Sequence, residues 1–395
     1  GLQVGATAAN HLSMPVTASA ATVESAFATP IERVQLTSGR VAYANRRAPA
    51  LPAAAAPFVQ GVIGLEDIAL SHHHGVEPDR AQSPPSTGSA GVPSSATASI
   101  LAGGPQPCEA AIDAKTAEAS YTGYTANEIA GAYQLSPFYA AGNYGAGQTV
   151  ALLEMEPFQP SDIATYQACY GSEAKVTAVA VAGGPGPYAG EDGEAALDLD
   201  QLSGLAPQAN IIVYQAPNPA ETAILTAYVS EDKAKVMSSS WGICEKESGK
   251  AAMAAVDTLL QEAAIQGQSF FVASGDEGST DCYTSSNKDE SLAVDFPGSA
   301  PFATDVGGTR MEDPTAATPT EYLWNEAPRW GASGGGISEH FPMPAYQGEL
   351  PESGLGVIGP LSSGEACGFA GYCREVPDVS ADADVQTGYV AFENG

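Results

Sequence analysis

The chain has 395 residues, with 46 acidic against 15 basic side chains and a formal charge of −31 at neutral pH. That balance excludes nucleic acid as a partner, because binding a phosphate backbone needs clustered lysine and arginine. No apolar run of about 18 residues occurs, so no membrane span is expected, while a hydrophobic share of 44% can supply a sizeable core and more than one domain.

The first residues, GLQVGATAAN, have no basic flank and no apolar core. They are not a signal peptide, and the chain is expected to begin inside a longer protein. Residues 1–75 contain VESAFATPIERVQL, which starts with helical spacing and ends as a strand, and close with FVQGVIGLEDIAL. This pattern suits part of a small α+β unit whose N-terminal half is missing. The stretch SHHHGVEPDR, with His72, His73 and His74, reads as the solvated edge of a linker rather than a metal site. Residues 76–107 are rich in Ser, Pro, Gly and Ala, which predicts a linker open to proteolysis.

All six cysteines lie in residues 108–395, and no CxxC pair occurs, which argues against zinc. Their even number on an acidic chain favours three disulfides and an oxidising, extracellular compartment. Cys367 and Cys373 are expected to close a short loop. Cys108–Cys169 with Cys244–Cys282 is one of the ways in which the other four can pair.

In this body GQTVALLEM predicts a buried strand and SDIATYQACY a helix with Ser161 and Asp162 at its start. GEAALDLDQLSG is helical and ANIIVYQA a strand. AKVMSSSWG is read as one strand, GKAAMAAVDTLLQEAAIQG as a long helix, and QSFFVASGDEG as a strand ending in a glycine turn. Strands alternating with helices imply an α/β fold, a doubly wound parallel sheet covered on both faces. In such a fold the site lies at the carboxyl ends of the strands, where SSSWG and SGDEG fall.

Glu194 and Asp198 stand four residues apart, so one helical turn places them on one face. Two such carboxyls can share a proton and titrate as a unit, with one apparent pKa raised. Near the sequence pI of about 4.2, histidine, with an unperturbed pKa of about 6.5, would be protonated and useless as a base, while a carboxylate would still serve. Asp276, in ASGDEG, can cap its turn or, held neutral, donate a hydrogen bond to an oxyanion. The run Ser333–Gly334–Gly335–Gly336–Ile337–Ser338 allows close backbone approach. With no Lys-Ser/Thr after it, the run is no nucleotide site.

Taken in order, Glu194-x-x-x-Asp198, SSSWG at 238–242, SGDEG at 274–278, FPGSAPFATDVGGT at 296–309, SGGGIS at 333–338 and REVPDVSADAD at 374–384 resemble the sedolisin family. These are serine-carboxyl peptidases on a subtilisin-like fold. VESAFATPIERV and FVQGVIGL resemble the second half of that family's prodomain. The resemblance implies a partial α+β prodomain over 1–75, a linker with the activation cleavage over 76–107, and a subtilisin-like peptidase domain over 108–395. It implies that Glu194 is the base for a serine nucleophile, that Asp198 orients and polarises Glu194, and that Asp276 is the oxyanion acid. Ser240, Trp241 and Gly242 become the edge that pairs with substrate backbone, and Gly334, Gly335 and Gly336 wall the pocket opposite.

The family's nucleophile motif, Gly-Thr-Ser followed by proline, does not occur in the 395 residues; GGTRMEDP has Arg310 where the serine would stand. The expectation is therefore a fragment of an acid-acting, secreted endopeptidase zymogen, truncated before its nucleophile and inactive alone. Its partners are polypeptide substrates and its own prodomain as inhibitor, with no nucleic acid, no membrane and a monomeric state. Calcium is implied by the resemblance, with ligands outside this chain. The competing expectation is a non-catalytic secreted binding protein on the same scaffold. A subtilisin with an Asp-His-Ser triad is rejected, because no histidine stands where its base belongs.

Overall fold

The structure is a computed structural model and describes residues 1–73, 104–115, 123–188, 193–284, 287–327, 331–348 and 367–393. The expected linker therefore lies mostly outside the described residues, as does His74. The front segment forms helix α1 (Ala20–Phe27), capped by the Ser19 side chain, and the antiparallel hairpin β1 (Ile31–Gln35) and β2 (Val41–Asn45). It ends in a two-residue strand, β3 (His72–His73).

The body opens with β4 (Thr149–Glu154), α2 (Pro160–Tyr170), β5 (Lys175–Ala180), α3 (Glu194–Leu205) and β6 (Asn210–Gln215). It continues with α4 (Glu221–Glu231), β7 (Val236–Ser239), β8 (Trp241–Cys244), α5 (Lys250–Ile265) and β9 (Ser269–Ala273). Then come β10 (Asp295–Phe296), β11 (Thr304–Glu312), β12 (Thr320–Leu323), β13 (Gly336–Pro342), β14 (Cys373–Val376) and β15 (Val379–Asp382).

Eight strands make one sheet in the order β12-β11-β9-β7-β4-β6-β5, with β15 also pairing β11. Every pair in it is parallel except β11 with β12. Alternate residues of β4 bury on opposite faces, as a strand's two-residue period requires. Ala151 and Leu153 join Tyr214, Met237, Phe270 and the apolar sides of α4 and α5, whereas Leu152 joins Ile211, Val213, Ile163 of α2 and Leu199 of α3. Each layer of helices thus has its own core. After β4 the chain runs outward to β5, returns through β6, and crosses to β7 on the other side of β4. The strand order reverses between β4 and β7, and a crevice opens at their carboxyl ends.

One expected element divides. AKVMSSSWG is two strands, β7 and β8, parted at Ser240, and β8 leaves the large sheet to pair with β10 and β3. The break occurs where the Ser240 hydroxyl turns toward Asp198. All three disulfides form, Cys108–Cys169, Cys244–Cys282 and Cys367–Cys373. The front segment docks on α5: the Gln60 amide donates to the Ala254 carbonyl at 3.2 Å and to Thr258 at 3.0 Å, and Asn10 donates to Glu262 at 2.9 Å.

The far side of the crevice rests on one buried ion pair. Arg374, fully buried, donates from both terminal nitrogens to the Asp378 carboxylate, one of them at 2.7 Å. That carboxylate also accepts from the Asp305 amide at 2.9 Å, which ties the start of β15 to β11. Removing one partner leaves the other charge buried and uncompensated. Arg374→Ala is therefore expected to lower the unfolding free energy by about 3–5 kcal/mol, measured by urea denaturation. A loss under about 1 kcal/mol would show that the pair does not hold these strands.

Candidate active site

The site starts from a row of carboxyl groups. Glu154 ends β4 with no exposure and accepts a hydrogen bond from Trp241 Nε1 at 2.9 Å. Asp198, one turn into α3, accepts from the Ser240 hydroxyl at 2.9 Å and lies within electrostatic reach of Glu154. Burial, then the charge of Asp198, pushes the Glu154 carboxyl well up. Burial, then the charge of Glu194, raises Asp198 to about 7. The charge of Asp198 disfavours a second charge on Glu154, and Trp241 and Ser240 offer one neutral donor each, so one proton between the two carboxyls relieves the repulsion.

The structure brings a third carboxyl, Glu154, beside the expected pair of Glu194 and Asp198. Glu154 escapes a reading of the sequence because its partner lies 44 positions later and its strand reads as a uniformly apolar run. The one available signal is an ionisable residue at the end of a buried strand. Glu194 opens α3, whose N-cap is Gly193 and brings no side chain to the capping. The cap comes instead from Glu156, just past β4, which accepts from the Ala195 amide at 2.7 Å. This contact fixes the start of the helix and so the direction in which Glu194 projects.

Glu194, Asp198, Ser240 and Asp276 line one cavity of about 710 Å³ beside the carboxyl ends of β7, β9 and β11. Asp276 reaches it from a turn after β9 in which Gly275 has φ +97, a conformation open to glycine. The turn is held by the Asp276 carbonyl, which accepts from the Ala332 amide at 2.7 Å. Gly334, Gly335 and Gly336 are not among the cavity-lining residues. Gly334 packs so tightly on the Ser274 carbonyl that a Cβ would lie 1.8 Å from its oxygen, so the glycine run braces the Asp276 turn.

Trp241 and Gly242 form an edge that is already paired. His73 stands opposite Trp241 and His72 opposite Gly242, antiparallel. His73 Nδ1 lies 3.5 Å from Glu194 Oε2, and its ring meets the Trp241 ring edge-on at 5.6 Å. The hydrogen bond with Glu194 raises the imidazole pKa against an opposing effect of burial, and the charges of Glu194, Glu156 and Asp276 raise it further. The expected linker edge is therefore corrected at His72 and His73 to a paired strand, whose His73 side chain stays 40% exposed. A strand edge beside carboxylates outweighs the polar, low-complexity sequence that follows them.

Among the described residues no set of three or more His, Cys, Asp or Glu side chains is disposed to hold a metal ion. The described residues thus offer calcium no such set, and no step is routed through it. Also among the described residues, no helix is long and apolar enough to cross a membrane.

The Subtilase family pattern matches residues 174–393. Kumamolisin of Bacillus sp. (strain MN-32) is 32% identical over 357 residues, covering 87% of this chain and 56% of the relative. Sedolisin of Pseudomonas sp. (strain 101) is 28% identical over 404 residues, covering 98% and 60%. Human tripeptidyl-peptidase 1 is 31% identical over 285 residues, covering 69% and 48%. The chain thus spans roughly half to three-fifths of the length of these relatives. A solved structure of the Pseudomonas sedolisin, a serine-carboxyl proteinase complexed with two molecules of pseudo-iodotyrostatin, superposes with a TM-score of 0.54 at 25% identity, covering 69% of this chain and 73% of that one.

The buried carboxyls set a pH dependence of stability. Burial is the main cause that raises Asp198 and Asp382 to about 7 and Asp200 and Glu221 to about 8, from ordinary values of 3.8 and 4.5. A carboxyl whose folded pKa is raised keeps its proton in the native state after the unfolded chain has lost it. Stability is therefore complete below the unfolded values and falls as pH climbs to the folded ones. The melting temperature, followed by calorimetry, is expected to be highest near or below about pH 4 and to fall steadily to about pH 8. A melting temperature that climbs from pH 4 to pH 8 would mean that these carboxyls ionise freely in the folded chain.

Proposed function

The chain belongs to the Subtilase family and, within it, to the sedolisins, and from that membership we propose that it is part of an acid-acting, secreted peptidase zymogen. The observation that carries this reading is one cavity lined by Glu194 and Asp276 beside a strand edge, Trp241–Gly242, able to pair with extended peptide backbone.

In this reading the nucleophile is a serine outside residues 1–395. Glu194 takes the proton of that hydroxyl as its oxygen attacks the peptide carbonyl carbon, then returns it to the departing amine nitrogen. Water repeats the cycle on the acyl-enzyme and releases the acid. Asp276, protonated, donates a hydrogen bond to the oxyanion of each tetrahedral intermediate. Asp198, Glu154 and Trp241 hold the base in place and let it change charge at small cost. A row of carboxyls does this at a pH where imidazole is already protonated.

The same reading makes residues 1–73 an inhibitor in place. The front segment docks on α5, and His72–His73 occupy the strand edge that a substrate needs. Cleavage within 76–107 removes the block. Secretion accords with three disulfides. Calcium enters only through ligands outside the chain, and the mature protein acts as a monomer.

The full-length gene product is expected to hydrolyse denatured protein at about pH 4. Glu194→Gln should lower kcat/KM by about 10³-fold or more, and Asp276→Ala by about 10²- to 10³-fold. Full activity in the Glu194 variant would overturn the assignment of the base. Peptide binding with no cleavage by the wild type would favour a binding protein on this scaffold. Residues 1–395 alone are expected to show no hydrolysis, and measurable turnover by them would refute the placement of the nucleophile.

A further inference from the structure

The strand in the cleft is gripped at one point beyond the edge of β8. Just before the ladder, Asn218 meets the backbone of Ser71 twice: its Oδ1 accepts from the Ser71 amide at 3.1 Å, and its Nδ2 donates to the Ser71 carbonyl. One carboxamide thus takes both polar groups of one residue's backbone, as a hydrogen-bonded neighbour in an antiparallel sheet would. Asn218 is half-buried and stands in the link between β6 and α4, three residues past the end of β6. That link leaves the sheet on the side of the crevice. There the Ala216 amide donates to the Glu154 carbonyl at 3.1 Å, and the Gln215 side chain to the Glu156 carbonyl at 2.8 Å. Asn218 does not line the 710 Å³ cavity; it touches the strand directly.

We propose that Asn218 is a positioning residue for peptide strands laid on the edge of β8, that it reads the backbone one residue before the ladder, and that this position therefore takes any residue but proline. The proposal rests on the peptidase reading in one respect, that a substrate strand follows the course of residues 71–73.

The two bonds go to backbone atoms, so a change of side chain at this place removes neither. Proline has no N–H to give. With that donor gone, the Asn218 oxygen loses its partner where the strand shields it, which costs more than the missing attraction alone. Ser71 is buried, so water competes little for its amide and carbonyl. A ladder of two residues is weak, and a third residue held by two bonds fixes the direction of the strand as well as its place.

The chain's own occupant tests this without turnover. Hydrogen exchange of the Ser71 amide and of the amides in the ladder between His72–His73 and Trp241–Gly242 reports how firmly the strand is held. Asn218→Ala is expected to raise exchange at both places about tenfold. Ser71→Ala, which keeps both backbone groups, should stay within about threefold of wild type. Unchanged exchange in β4 and β7 certifies the fold of each variant. The proposal is overturned if Asn218→Ala exchanges within about threefold of wild type, or if Ser71→Ala loses as much as Asn218→Ala.

A second measurement uses the full-length product. A peptide N-methylated at the amide matching Ser71, or carrying proline there, should show a KM about tenfold higher with kcat within about threefold, because the clamp binds ground state and transition state alike. In Asn218→Ala the methylated and plain peptides should become equal within about threefold, a result that a merely structural role would not give. Equal cleavage of the two peptides by the wild type overturns the proposal, as does a gap that survives Asn218→Ala. A positive exchange result with no cleavage of any peptide would defeat the peptidase reading alone.

Discussion

Everything in this site depends on two buried carboxyl groups, Glu154 and Asp198, whose described hydrogen-bond donors carry no charge. Glu154 accepts from Trp241 and Asp198 from Ser240, while Glu194, one turn earlier on the same helix as Asp198, faces His73. Neutral donors, an indole N–H and a hydroxyl, stand where a cation would otherwise sit. A cation would hold each carboxylate ionised and fix the charge of the row. Neutral donors let the row gain and lose a proton, because neither protonation state is locked by a full opposite charge. Desolvation then does what a counter-charge would undo, and keeps a proton on Glu154 and Asp198 into the neutral range.

The fold meets that requirement through topology. Glu154 must end one strand and Ser240 must follow the next, and the crossing of the chain from β6 to β7 makes those two strands neighbours. Residues 86 apart in sequence become adjacent at the carboxyl ends of two central strands. The break at Ser240 follows from the same contact. Had β7 run on unbroken, the hydroxyl would have stayed in the pleat of the large sheet. By leaving, it meets Asp198 and sends Trp241 back over Glu154, and β8 departs as an edge able to take an added strand. Gly242 completes that edge: Asp295 lies so close that a Cβ would fall 2.0 Å from its Oδ1.

The legible part of this design is the part written in short spacings. The four-residue interval of Glu194 and Asp198, the strand-then-glycine turn before Asp276 and the alternation of strands with helices are local patterns, and the helix, the turn and the sheet stand where those patterns put them. Glu154 and Glu156 are not legible, because each acts on a residue at least 39 positions away and neither interrupts a recognisable period. His72 and His73 mislead for a related reason. Side chains that look solvated by composition are placed by pairing with an edge, and an edge is a property of the folded sheet, invisible in the flanking sequence.

The occupant of the cleft also bears on how firmly the front segment needs to bind. A two-residue ladder is a weak contact in isolation. Its occupancy rests on being tethered, with Gln60 and Asn10 anchored along α5 and Ser71 hydrogen-bonded to Asn218 at 3.1 Å just before the ladder begins. Covalent attachment raises the effective concentration of the strand in the cleft without any strong local contact. A segment bound in this way is displaced once its tether is lost, whereas a segment bound by a tight, dry interface would stay. A two-residue ladder held mainly by its tether can therefore give up the edge of β8 to another strand once the tether is lost.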